Sequence, residues 1–175
     1  MVSAKWAAWG LAGVVALAGS GIIAATQGPI GRGAIEQPIA FPHNLHAGTS
    51  QIPCEYCHYS ADRSVDAGIP AVEVCAGCHL PGGAPLFRGD SAGIAALLQY
   101  WIDRRPIPWK RVYRIADHAH FPHNRHIKGG VTCQECHGPV EEMEVVTLNQ
   151  ELWMGWCIEC HRERQARTDC SVCHY

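Results

Sequence analysis

Ten cysteines and eleven histidines carry most of the chemistry open to this 175-residue chain, and their positions are tied together. Every cysteine belongs to one of five C-x-x-C-H motifs: Cys54, Cys57 and His58; Cys75, Cys78 and His79; Cys133, Cys136 and His137; Cys157, Cys160 and His161; Cys170, Cys173 and His174. Two thiols at this spacing can hold a porphyrin as paired thioethers while the adjacent imidazole meets its iron. The motif therefore reads as covalent attachment of haem c, five per chain, with the five motif histidines as proximal ligands. C-x-x-C pairs also hold structural zinc, but zinc gives no reason for a histidine directly after each pair. With 11 histidines in 175 residues, that placement after all five pairs is about a one-in-a-million coincidence.

Six histidines remain: His43 and His46 in FPHNLH, His123 and His126 in FPHNRH, and His118 and His120 just before the second phrase. On one helical turn, H-x-x-H presents both imidazoles on a common face, so a single short helix can serve two irons. Each phrase is followed, ten or eleven residues after its first histidine, by a C-x-x-C-H motif.

These ligands need short helices held by turns, and the chain divides accordingly. Residues 41–80 carry the first phrase and two motifs 21 residues apart; residues 117–175 carry the second phrase and three motifs at separations of 24 and 13. That is a partial internal duplication, a dihaem module followed by a trihaem module. The connector 81–116 opens with PGGAPLF, a loop by its Pro and Gly content. Then Ile94, Leu97, Leu98, Trp101 and Ile102 recur at helical spacing, with Asp90 or Ser91 placed to cap, Arg104 and Arg105 at the far end, and Pro106 as a stop. One amphipathic helix is expected there, its apolar stripe packed on a haem edge or the core. At 175 residues the chain is too short to bury five haems in a core of its own, so the porphyrins must supply most of the buried apolar surface. The expected fold is a multihaem cytochrome c, mainly α, with short helices and much irregular structure around five haems.

The N-terminal region adds a further element. After residues 1–5, the stretch WAAWGLAGVVALAGSGIIAAT (6–26) is uncharged and 21 residues long, enough for one transmembrane helix and longer than the apolar core of a usual signal peptide. Lys5 orients the N-terminus to the cytoplasm and the haem domain to the periplasmic side of a bacterial inner membrane. Residues 27–40, rich in Gly and Pro, read as a linker. The formal charge of −2 becomes more negative with the haem propionates, and nothing supports nucleic-acid binding. Arg162, Arg164 and Arg167 are expected to pair with those propionates.

The phrase F-x-H-x-x-H ahead of an attachment motif resembles the class III cytochromes c, the c3 and c7 proteins. That resemblance implies that the first histidine serves the nearest following haem and the second the next: His43 with the Cys54 haem, His46 with the Cys75 haem, His123 with the Cys133 haem and His126 with the Cys157 haem. In the c7 pattern the ligand of the last haem lies just before the middle attachment motif, where this chain has Met154 in LWMGWCIECHR; Met143, His118 and His120 are the alternatives. A thioether there would make the last haem the most oxidising.

At a finer level, the anchor, the two-plus-three layout, CEYCHYSADRSVDAGIP, CHGPVEEMEVV, LWMGWCIECHR and CSVCHY resemble the pentahaem cytochrome component of bacterial alternative complex III over residues 41–175. The chain departs from that pattern in having only eight residues between His161 and Cys170. The resemblance implies an electron-relaying subunit with no bond chemistry of its own. Its implied partners are an integral membrane quinol-oxidising subunit, an iron–sulfur subunit, and also a monohaem cytochrome c, and electrons leave toward a periplasmic cytochrome or terminal oxidase. The alternative is a self-sufficient quinol dehydrogenase of the NapC/NrfH type. A catalytic multihaem reductase would need an open iron position, for which this set of candidate ligands shows no need.

Overall fold

Two cysteines three residues apart face the same way only if the backbone between them turns as a helix. The computed structural model, which describes residues 33–80 and 91–175, places each attachment motif on such a turn. In chain order the helices are α1 (Cys54–Cys57), α2 (Val72–His79), α3 (Ala92–Ile102), α4 (His123–Lys128), α5 (Cys133–His137), α6 (Met154–Glu163) and α7 (Cys170–Cys173). A π-turn (Asn44–Thr49) and a 3-10 turn (Val140–Glu142) complete the set. The described residues are helical or irregular, with no β-strand among them. The expected anchor, 6–26, and the loop 81–90 lie outside the described residues; among those described, no helix is long and apolar enough to cross a membrane.

The two histidine phrases fold differently, and the spacing explains why. FPHNRH opens α4, where the Gly129 amide closes on the Arg125 carbonyl at 3.0 Å, an ordinary i−4 bond. FPHNLH opens the π-turn, where the Ser50 amide reaches the Leu45 carbonyl at 2.9 Å, one residue further back. The first copy has one more residue between its second histidine and the following motif. A single extra residue in a helical turn is what a π-turn absorbs.

The modules dock on each other through these same elements. The Asn44 amide donates to the Met143 carbonyl at 2.9 Å, and the Asn124 amide to the Ser64 carbonyl at 3.1 Å. Asn44 and Asn124 hold the same place in the two phrases, and Met143 and Ser64 each lie six residues past the histidine of the motif that follows its phrase. The junction is therefore reciprocal: each histidine turn rests on the loop behind the other module's first attachment motif. Gly48 permits the approach on one side, since a Cβ there would stand 2.3 Å from the Glu141 carbonyl oxygen. On the other side, Lys128 occupies the place of Gly48 and acts electrostatically on Asp62, whose carboxyl is lowered mainly by Arg63.

A small apolar centre forms where α3 crosses α2. Ile39, Val72, Leu97 and Ile107 are buried, with Ile94, Tyr100, Trp109 and Cys75 packed around them. Leu97 is 4% exposed, and burying such a side chain contributes about 1.5–3 kcal/mol. Ser91 caps α3 by accepting the Ile94 amide at 3.3 Å. Part of the apolar stripe on α3 turns elsewhere: Leu98, Trp101 and Ile102 are exposed. The end of the linker is tied in, because Gln37 exchanges two 2.9 Å hydrogen bonds with the backbone of Lys110. Besides these, only Ala61, Ala76 and Gly138 are buried among the described residues, and the attachment cysteines are half-buried or exposed.

Candidate haem-ligand site

None of the ten cysteines is tied in a disulfide. Among the described residues, no group of three or more His, Cys, Asp or Glu side chains converges as it would around one metal ion.

The repeated phrase works through all of its residues. Phe41 stacks on the His46 ring at 4.2 Å and meets His43 edge-on at 4.8 Å; Phe121 does the same to His126 at 4.1 Å and to His123 at 4.9 Å. The second histidine of each phrase donates Nδ1–H to the carbonyl four residues back, His46 to Pro42 and His126 to Pro122, both at 2.9 Å. The aromatic ring thus sets two imidazoles at once, and the proline carbonyl fixes the tautomer of one. These roles of Phe and Pro were missed in the sequence, though their repetition beside the histidines was the signal.

Four more histidines are held in the same way. The Nδ1 atoms of His58, His123, His161 and His174 lie 2.7, 2.8, 2.6 and 2.8 Å from the carbonyl oxygens of Gly68, Val65, Arg167 and His118. A backbone acceptor at Nδ1 leaves Nε2 as the free lone pair and orients the ring, which is the arrangement an axial ligand requires. Gly68 makes the His58 bond possible: its φ of +78° returns the loop, and a Cβ there would meet the Ser60 hydroxyl at 2.5 Å. His137 is held instead by Tyr113, whose ring packs edge-on at 4.4 Å and whose hydroxyl accepts the Asn149 amide at 2.9 Å.

The imidazoles face one another in pairs. His46 and His79 have ring centroids 5.8 Å apart, and His126 and His161 lie 6.0 Å apart. Two metal–nitrogen bonds of about 2 Å plus the two half-rings give a similar span. His43 is held down to about 4 by burial first, then by the neighbouring His58 and His46. His137 is lowered by burial first, then by His123 and His58. Beside His174 the structure sets the ring of His118, 5.4 Å away and 24° from parallel. His120 stacks on Tyr175 at 4.4 Å, and its amide donates to the Cys173 carbonyl at 2.8 Å. Met154 begins α6 and is 60% exposed, while the Met143 carbonyl lies in the module junction.

The attachment motifs have definite neighbours. Burial raises the Cys57 and Cys75 thiols, with Cys78 acting next on Cys57 and Cys57 on Cys75, so α1 adjoins α2. Cys133 is raised by burial and then by Cys54; Cys136 by burial and then by Cys160; Cys157 by burial and then by Cys173. Two of the basic side chains between them meet carboxylates of the chain itself. Arg164 pairs with Glu135, joining α6 to α5, and Arg167 pairs with Asp169 at 3.0 Å.

Residues 119–175 match the family described as cytochrome c7 and related cytochrome c. The chain is also similar to the menaquinone reductase multihaem cytochrome c subunit of Nitratidesulfovibrio vulgaris, 28% identical over 168 residues that cover 79% of this chain and 77% of the relative.

Proposed function

We propose that this chain is a pentahaem c-type cytochrome that relays electrons within a membrane-bound, quinol-oxidising respiratory complex of the alternative complex III type. Bound haem c supplies a one-electron iron couple at each attachment motif. The residues of the chain do the rest. Ten thiols tether the groups, the motif histidines offer one imidazole each, and His43, His46, His123 and His126 offer the opposing imidazoles for four sites. Backbone carbonyls at Nδ1 hold six of these rings, those of His46, His58, His123, His126, His161 and His174, in place before any metal arrives, which limits ligand rearrangement on a change of oxidation state. The chain is read as a relay within a larger assembly, not as an enzyme by itself.

The observation that carries this reading is the facing of imidazoles from the repeated phrase and from the attachment motifs, as in His46 with His79 and His126 with His161. The similarity to one component of a menaquinone reductase supports the quinone-linked setting. Residues 6–26 are the proposed anchor, with the haem domain on the periplasmic side. An integral membrane subunit, an iron–sulfur subunit, and also a monohaem cytochrome c are the proposed neighbours. Extraction of native membranes in mild detergent tests this. Five covalent haems per chain and co-purification with a large integral membrane protein are expected. A lone chain that reacts with quinol by itself would place it instead with the NapC/NrfH type.

A further inference from the structure

We infer that the outward face of α3 and the basic segment behind it form a docking surface for the headgroups of an anionic lipid bilayer. The inference rests on the reading of residues 6–26 as a membrane anchor. Leu98, Trp101 and Ile102 stand at i, i+3 and i+4, one face of α3, and are 39%, 43% and 62% exposed. Just beyond them, residues 104–114 hold five of the 14 Lys and Arg residues and no carboxylate, in a chain whose formal charge is −2. All five, Arg104, Arg105, Lys110, Arg111 and Arg114, are exposed, and Arg105 is partly offset by Asp103 at 2.8 Å. An apolar face with a tryptophan, bordered by cations, suits a helix lying in a bilayer interface. Its apolar side chains enter the boundary of the acyl chains while the cations meet phosphates.

Two further observations direct this surface to a membrane. The first is covalent: Gln37 exchanges two 2.9 Å hydrogen bonds with the backbone of Lys110, so the chain leaving the proposed anchor is stitched to the basic segment itself. Gln37 stands eleven residues beyond Thr26, a reach of at most about 40 Å. The second is backbone strain. α3 ends with Arg104 at φ +50°, its amide on the Trp101 carbonyl at 3.1 Å and the Arg105 amide on the Tyr100 carbonyl at 3.0 Å. This left-handed place usually takes glycine. A guanidinium there burdens the fold, which points to a use for its charge outside the fold.

The experiment uses the full-length haem-loaded protein, reconstituted into vesicles and nanodiscs of phosphatidylcholine alone or with phosphatidylglycerol. An alkaline wash of the vesicles tests the anchor first, and release of the protein would defeat that reading. The surface is then read by flotation, which should occur only with phosphatidylglycerol and be lost at high salt; absence of flotation would overturn the inference. With the anchor in place, a photoreactive residue at position 98 should crosslink to lipid several-fold more in anionic than in neutral discs. A control at position 56, the exposed Tyr56 of α1, should crosslink little in either. Arg104→Gly is expected to melt at or above the wild-type temperature yet give less lipid crosslinking from position 98, which separates the charge from the fold. Arg111→Glu should weaken the crosslink as well. Equal yields from position 98 in the two kinds of disc, or equal yields from positions 98 and 56, would overturn the inference. So would crosslinking in native membranes to protein in place of lipid, which would assign the face to a partner subunit.

Discussion

At the scale of single residues, the site includes six imidazoles whose Nδ1 atoms are already committed to backbone carbonyls. The hydrogen bond from His58 to the Gly68 carbonyl, 2.7 Å long, shows what such a commitment requires: a left-handed residue at φ +78° and no side chain against Ser60. Gly68→Ala is therefore expected to cost about 1–3 kcal/mol, seen as a lower melting temperature of the loaded protein. Weakening the bond makes the imidazole a poorer donor, so the potential of the Cys54 haem alone should rise in a redox titration. Equal shifts at all the haems would show that the bond has no such local role. The cysteine motifs and the histidine pairs were legible in the sequence because covalent chemistry fixes their spacing. The carbonyls that pin the rings were not, because a backbone acceptor has no side-chain signature. The neighbour of His174 is His118, a histidine outside either repeated phrase and 56 residues earlier, which the sequence offers only as one of several alternatives.

At the scale of elements, α3 is the one helix among the described residues that carries neither an attachment motif nor a candidate iron ligand, and it stabilises the fold without touching the chemistry. Its cap and its end were readable from Ser91 and Pro106. Its buried face was only half readable: Ile94 and Leu97 turn inward because Ile39 and Ile107, from segments flanking it at a distance, close over that side. The rest of the stripe has no such cover and remains exposed. Leu97→Ala should cost about 2–5 kcal/mol, nearer the lower figure in so small a cluster. Thermal denaturation measures the loss, and the visible haem spectrum of the folded variant should match wild type. A changed spectrum would mean that α3 bears on the haem of Cys75, whose side chain packs at the edge of the cluster.

At the scale of the whole molecule, the neighbours of the attachment helices define an order. α2 adjoins α1, α1 adjoins α5, α5 adjoins α6 and α6 adjoins α7. The haems are therefore expected to run Cys75, Cys54, Cys133, Cys157, Cys170, a single file whose second step crosses the module junction. An experimental structure of the loaded protein checks this through its iron–iron distances; a Cys75 haem closest to that of Cys157 or Cys170 would contradict it. The order is not the order of the sequence, because the first module is entered from its earlier motif.

The reciprocal junction also bears on how the molecule comes into being. The Asn44 amide is paired by Met143, and the Asn124 amide by Ser64, so the first turn to be made has to wait for one of the last loops. A chain made from its N-terminus cannot pair the Asn44 amide in this way until residue 143 is present. The docked state thus draws on both histidine turns, and a chain in which one has not formed lacks one of these two bonds.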